Sequence, residues 1–429
     1  MSLLEPAVGF EAPPRPRPWL AKAWRYGLST SGPVATSGAH FLASLLFVRN
    51  LPPGEFGLFS FVLVIVPFCM SIIGSMAVLP VTCSLSEGDA ARARINASCL
   101  KLNLVLSAAA TLFVFAVLSL AHAQTAPAML LALFGGLLTT RWFARCFAYV
   151  QGRIHRAVAS DLIYAVALIG SLGAIALAHR LTFLSGTAAL ALAAAAGLLP
   201  LGRDFAREQL CSIRGGKLRD YAPIFRDLTR WSLLGVALTE ATVNAHAYLV
   251  TFVSGSGAFA LLALGMLVMR PISLVQGALP DLERPVMARA IAANDSKGLL
   301  RIQREFLAAL LAVWTATVLL AAGLLLWMPQ LLLKKGYVQH DVVLVTLCTA
   351  AIMMVRNFRT PLAVKLQAAG EFKALAGIGT WSCAVSVTAT LILLLTFGPI
   401  ASLGGIFAGE LVILAAVHRL GRQWMARHD

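Results

Sequence analysis

RWFARCFAYVQGRIHRA (Arg141–Ala157) and RNFRTPLAVKLQAAGEFKA (Arg356–Ala374) lie far apart in the chain, yet they share a pattern. Each opens on Arg-x-Phe, passes through a Gln, and reaches a Gly followed by a charged and an apolar residue. Each also sets arginines (Arg141 and Arg145, Arg356 and Arg359) in a run otherwise apolar enough to sit in lipid. An arginine at the centre of a membrane span costs about 2.5 to 3.5 kcal/mol. So costly a feature, met twice in the same local setting, reads as a duplicated unit rather than as two accidents.

The rest of the chain fits that reading. Its 429 residues are 59% hydrophobic and 13% charged, with a mean hydropathy of +0.80, too apolar for a soluble domain. A bilayer core of about 30 Å takes about 20 apolar residues per helix. Twelve such segments are predicted, near residues 28–48, 56–80, 100–121, 128–149, 158–178, 183–202, 231–253, 257–280, 306–328, 342–364, 374–397 and 401–417. Residues 1–26, with Pro13, Pro14, Pro16 and Pro18 interleaved with Arg15 and Arg17, read as a disordered tail without the apolar region of a signal peptide. Residues 203–230 form a basic linker, expected to lie on the membrane surface as a broken amphipathic helix, and 418–429 a second tail. The expected fold is therefore an all-α integral membrane protein. Its twelve transmembrane helices form two six-helix lobes, 27–202 and 231–417, related by a pseudo-two-fold axis along the membrane normal.

Lesser echoes point the same way: Leu79-Pro80 and Leu279-Pro280 end the second and eighth spans, and His40 in the first span answers His246 in the seventh. Orientation follows from the basic residues. Twenty-six fall on the side that carries both ends of the chain and four (Arg49, Arg180, Lys334, Lys335) on the other, which places both termini in the cytosol. The net charge of +16 is then a matter of insertion and attraction to acidic membrane lipids, and calls for no nucleic acid. The seven cysteines have no metal-site or disulfide spacing.

Five cations fall inside spans: Arg141, Arg145, Arg270, Arg356 and Arg359. The carboxylates available to them there are Asp161, near a cytosolic end, Glu240 and Glu410. Arg145 and Arg359 can snorkel to the headgroups, and Arg270 can pair with Glu240. For Arg141 and Arg356 the acids look too few. A cavity with surplus positive charge is expected, with all five arginines as candidate substrate-binding residues. Glu240, His246, His40 and Glu410 are the candidates for ion coupling, against a plain role in helix-to-helix hydrogen bonding. Trp142, Tyr149, Tyr164 and Trp381 are read as interfacial anchors before sugar platforms. Gly405 and Gly409 are read as a close helix contact, and Gln276 and Asn244 as either packing or cleft groups.

The stretch GPVATSGAHFLASLLFVRNLPPGEFGLFSFVLVI (Gly32–Ile65) resembles the opening of polysaccharide exporters, in which a first helix ends in Arg before a Leu-Pro-x-Glu-[Phe/Tyr]-Gly turn, here Arg49, Leu51, Pro52, Glu55, Phe56 and Gly57. The likeness is to flippases of lipid-linked oligosaccharides in the multidrug/oligosaccharidyl-lipid/polysaccharide (MOP) exporter superfamily. It implies a polyprenyl-diphosphate-linked oligosaccharide as substrate, moved from the cytosolic to the outer leaflet by alternating access. It also implies a bacterial inner membrane and a polysaccharide polymerase as a working partner. The chain departs from the family's lipid II flippases, which have fourteen spans.

A diphosphate suits the forked, permanently charged guanidinium. No cofactor is expected, and no nucleophile–base grouping, metal cluster or phosphate-binding glycine loop points to an enzyme. A proton- or sodium-coupled multidrug antiporter of the same architecture is the alternative, and the sign of the cavity separates the two.

Overall fold

The computed structural model describes residues 18–84, 89–215, 217–331 and 337–428. Most of the tail assigned to 1–26 lies outside the described residues. Its end does not behave as a tail, because α1 already begins at Pro18 and runs to Asn50.

The first six spans are α1, α2 (Pro53–Ile73, continued through a π-turn at Gly74–Val78 into α3, Leu79–Cys83), α4 (Asp89–Leu120), α5 (Thr125–Val150), α6 (Ile154–Leu177) and α7 (Phe183–Ala196). The second six are α10 (Arg230–Ser254), α11 (Ser256–Val268) with α12 (Arg270–Ala292), α13 (Ser296–Trp327), α14 (Gln339–Ala368), α15 (Phe372–Phe397) and α16 (Leu403–His428). Among the described residues, eleven helices are long and apolar enough to cross a membrane, and the α11–α12 pair, bent by 67°, makes a twelfth when taken as one span. Pro271, at the start of α12, has no N–H with which to continue the ladder from α11. Several helices outrun the predicted spans on the side of the termini; α4 starts at Asp89, and α16 reaches His428, taking up most of the second tail.

Local signals set the boundaries. Pro52 and Pro53 open α2, and Thr182 caps α7 in a reciprocal box with Ser185. Asp295 caps α13 by accepting from the Gly298 N–H at 2.8 Å. The tight α5–α6 turn needs the left-handed backbone of Gly152 (φ 74°), and the α10–α11 break needs that of Gly255 (φ 88°).

The lobes pack by the same scheme. Within the first, α1 lies on α6 and α5 on α7; within the second, α10 lies on α15 and α14 on α16. Gly405 and Gly409 let α16 close on α15, with Thr390 and Ser386 where side chains would otherwise stand. The lobes meet along α2, against α11 and α10. On the side opposite the termini, Phe61 of α2 packs edge-on to Tyr248, Phe252 and Phe259, with centroids 5.4 to 5.9 Å apart. Gly57 there lies where any side chain would strike the Ser256 carbonyl. Toward the termini, Ser75 and Ser232 share a 2.8 Å hydrogen bond across the seam.

The expected surface linker is a broken helix: α8 (Gly202–Gly215), a 3-10 turn at Leu218–Tyr221, α9 (Ala222–Ile224), and a π-turn at Phe225–Thr229 that leads into α10. Gln209 of α8 donates to the Leu100 carbonyl, and Tyr221 donates to the Met76 carbonyl at 2.6 Å. Met76 sits in the π-turn of the second span, where the backbone has departed from α-helical pairing. The linker is thereby tied to the first lobe.

Candidate functional site

Each lobe holds two arginines on one buried carboxylate. In the first, Arg141 and Arg145 stand one turn apart on α5 and converge on Asp161 of α6. Arg141 Nη1 donates to Oδ1 at 2.8 Å, and Arg145 Nε lies 2.9 Å from the same oxygen. Asp161 is fully buried, and Arg141 is 2% exposed. The guanidinium of Arg141 stacks on Tyr164, 4.4 Å from the ring centroid, and the Tyr164 hydroxyl pairs with His40 Nε2 of α1 at 3.0 Å. Ser160 donates to the Gly197 carbonyl at 2.6 Å.

In the second lobe, Arg356 and Arg359 of α14 converge on Glu410 of α16. Arg356 Nε donates to Oε1 at 2.6 Å, and Arg359 Nε lies 3.0 Å from Oε2. Glu410 is 1% exposed, whereas the two arginine side chains are 16% and 25% exposed.

The acids that look too few for Arg141 and Arg356 are therefore enough, because each serves two arginines. Neither Arg145 nor Arg359 turns away to the headgroups. The lobes do not copy one another in detail, since the first takes its acid from its fifth span and the second from its sixth. A carboxylate has about four acceptor positions, so one can hold two guanidiniums. Each cluster keeps a net positive charge.

Arg270 and Glu240 do not pair. Glu240 accepts from Tyr248 at 2.8 Å and from Asn244 at 3.0 Å, both on its own helix α10. Among the described residues Arg270 has no ion-pair partner. It stands half-buried at the α11–α12 bend. His246 is 1% exposed, and neither ring nitrogen has a hydrogen-bond partner among the described residues. Gln276 is a packing group: it donates to Asn357 Oδ1 at 2.7 Å and to the Met353 carbonyl at 3.0 Å.

Sequence reading counts Asp161 among the carboxylates available to the arginines without assigning it to one, passes over Ser160, and takes Tyr164 for an interfacial anchor. Tyr164 is instead fully buried and lies between Arg141 and His40. Trp381 is 75% exposed on α15. One signal for Asp161 is present in the sequence. Asp161 lies as far after the turn glycine Gly152 as Phe143, midway between the two arginines, lies before it. In an antiparallel pair of helices such residues share a depth.

Space differs between the clusters. A partly open cavity of about 290 Å³ adjoins the second, walled by α10, α14, α15 and α16, with Arg359, Glu410, Gln367, Thr239, Gly235 and Gly379 among its lining. At the first, Gly32 packs directly on the Asp161 carboxylate, and a Cβ at Gly197 would stand 2.7 Å from Arg141 Cδ.

No protein family matches the chain by sequence, and no curated protein does. Solved structures match over nearly its whole length. One is a multidrug resistance transporter of the MATE family of the MOP superfamily in an inward-facing conformation (TM-score 0.69, 14% identity, 93% of this chain and 98% of that one). Another is the lipid II flippase MurJ in an inward closed conformation (TM-score 0.64, 13% identity, 91% and 86%). A third is a MOP-superfamily transporter from Pyrococcus furiosus, described as having a binding pocket of reverse polarity that suggests a different function (TM-score 0.60, 15% identity, 94% of each). All three are transporters, and the chain shares their fold, with up to twelve candidate membrane spans among the described residues.

Proposed function

We propose that the protein is a flippase that carries a polyprenyl-diphosphate-linked oligosaccharide from the cytosolic to the outer leaflet of a bacterial inner membrane, for polysaccharide biosynthesis. The observation that carries this reading is the charge of the interior. Two carboxylates hold four arginines, and a fifth, Arg270, stands at the bend of the eighth span without an ion-pair partner among the described residues. Desolvated cations of this kind are stabilised by an anionic cargo and disfavour a cationic one.

An oligosaccharide entering hydrocarbon would lose water hydrogen bonds worth several kcal/mol each. A hydrated cleft between the lobes removes that barrier while the polyprenyl tail stays in the bilayer. Rocking about the α2–α10/α11 seam would open the cleft to each side in turn. In a cell negative inside, each negative charge moved outward gains about 2.3 kcal/mol per 100 mV, so an anionic head can use the membrane potential. A polysaccharide polymerase would take the delivered units.

The second reading is an ion-coupled multidrug antiporter. It has one specific observation in its favour: Glu240 is an intramembrane carboxylate that no arginine neutralises among the described residues. The fold likeness to MATE transporters fits either reading.

The test is reconstitution into vesicles loaded on one leaflet with a polyprenyl-diphosphate oligosaccharide, with and without an inside-negative potential. Movement that requires the protein, rises with the potential and is lost in Arg270→Ala supports the flippase. Efflux of an organic cation against a proton gradient, lost in Glu240→Gln and without movement of any diphosphate lipid, overturns it.

A further inference from the structure

We infer that the cavity inside the second lobe is a subsite for a phosphoryl group, with Arg359 as its donor and Glu410 as a positioning residue that holds Arg359 at its wall. The identity of the group as part of a lipid diphosphate rests on the flippase reading; the subsite itself rests on geometry.

Arg359 meets Glu410 through its Nε edge, at 3.0 Å, and is one of the residues that line the cavity. A guanidinium has five N–H donors. Among the described residues that ion pair is the one polar contact this side chain makes, so its terminal nitrogens are available. Gln367, two turns further along the same helix, adds an amide donor to the lining. The hydroxyls of Thr239 and Thr242 already donate to the carbonyls of Gly235 and Leu238 at 2.9 and 2.8 Å, and offer no further proton. The cavity thus has cationic and amide donors around a net positive cluster, and apolar walls elsewhere.

Size narrows the ligand. About 290 Å³ lies at the lower limit of ordinary small-molecule sites, which begin near ~300 Å³. That is enough for a phosphoryl group with its first substituent and too little for an oligosaccharide, whose sugars would remain in the cleft between the lobes. The first lobe has the same ionic set without the room, because Gly32 and Gly197 bring backbone directly onto Asp161 and Arg141. The lobes therefore divide the work: the second takes the anion, and the first is a fixed ion cluster.

The cavity can be filled without disturbing the fold. Gly379 and Gly235 line it, and a Cβ built at either meets nothing within 4 Å. The experiment places the full-length protein in nanodiscs of zwitterionic lipid and measures binding of inorganic pyrophosphate, and separately of a polyprenyl diphosphate added to the disc. The variants are Gly379→Leu, Gly235→Leu and Arg359→Gln. Gly170→Leu, on the exposed surface of α6 with open space around it, is the control. Melting curves confirm that each variant is folded.

Both cavity-filling variants and Arg359→Gln should weaken binding at least about tenfold, equal to about 1.4 kcal/mol, with the control unchanged. Loss for both probes supports a diphosphate subsite whatever bears the group. Loss for the lipid alone assigns the site to a lipid head, and loss for pyrophosphate alone assigns it to a soluble phosphate. Wild-type binding in folded Gly379→Leu and Gly235→Leu overturns the subsite and leaves the flippase reading standing wherever the wild type moves the lipid. Failure of the wild type both to bind either probe and to move any diphosphate lipid removes the two together.

Discussion

Around Asp161 the chain leaves no space: Gly32 touches the carboxylate, Gly197 crowds Arg141, and the Tyr164 ring lies beneath its guanidinium, 4.4 Å from Cζ to the centroid. Around Glu410 the same ionic set, two arginines and one acid, borders a cavity of about 290 Å³. Both clusters offset the insertion cost of arginine in the same way, by sharing one carboxylate between two cations. They differ in what surrounds them, and that decides whether the leftover positive charge is sealed into the fold or offered to a ligand. Ion stoichiometry alone is therefore a poor guide to which arginines bind substrate.

The comparison can be broken most directly at the acids. Removing one partner of a buried ion pair costs about 3 to 5 kcal/mol, because the other charge is left uncompensated. Asp161→Asn strands two guanidiniums with no room for water, and should give a protein that melts far below wild type or does not accumulate. Glu410→Gln should lower the melting temperature by about half as much or less, since water in the cavity can solvate Arg359. Equal losses would erase the distinction between the lobes.

Glycine substitutions sharpen it at a smaller scale. Gly32→Val or Gly197→Val forces a side chain onto the first cluster, and overpacking of this kind costs about 1 to 3 kcal/mol. Gly379→Ala, in a helix with open space beside it, should leave stability unchanged or raise it by about 0.5 to 1 kcal/mol. Thermal melting in detergent reads all three.

Lysine exchange separates stability from binding. Arg141→Lys keeps the charge but loses the fork and the face-on contact with Tyr164, a loss of about 0.5 to 2 kcal/mol that should be seen in melting. Arg359→Lys should melt like wild type and lose pyrophosphate binding.

The smallest effect lies outside both clusters. Tyr221→Phe removes the hydroxyl that ties the linker to Met76, costing about 1 kcal/mol, read as faster proteolysis of the linker. Burial pushes the Tyr221 phenol up to about 12. Its contribution is therefore complete below the ordinary value near ~10 and is lost as pH rises through about 12, so this contact should be insensitive to pH near neutrality.

Much of this architecture is legible in the order of the amino acids. The twelve apolar runs, the division into six and six, and the arginines at matching places in both halves are all written as local pattern, because lipid admits only helices and closed barrels, and apolar runs of about 20 residues fit the helix. The Gly405–Gly409 contact is legible for the same reason: small residues one turn apart mark a close approach. The Asp161 pairing is within reach through the turn at Gly152, which fixes equal depth on neighbouring helices. Distance from the membrane surface, taken alone, hides it.

Glu410 is a different case. Nothing in the chain says that the acid for α14 is Glu410 of α16 rather than Glu240 of α10, since that depends on how non-consecutive helices are rotated and how deep each sits. The bend at Met269–Arg270, the release of Glu240 to Tyr248 and Asn244, and the cavity beside Arg359 belong to the same class. Sequence by itself determined the solvent, the number of crossings and the duplication. Tertiary structure alone decided which charges are shared, which are sealed and which face open space, because a carboxylate's reach is a few ångströms and a helix turns its side chains through about 100° per residue.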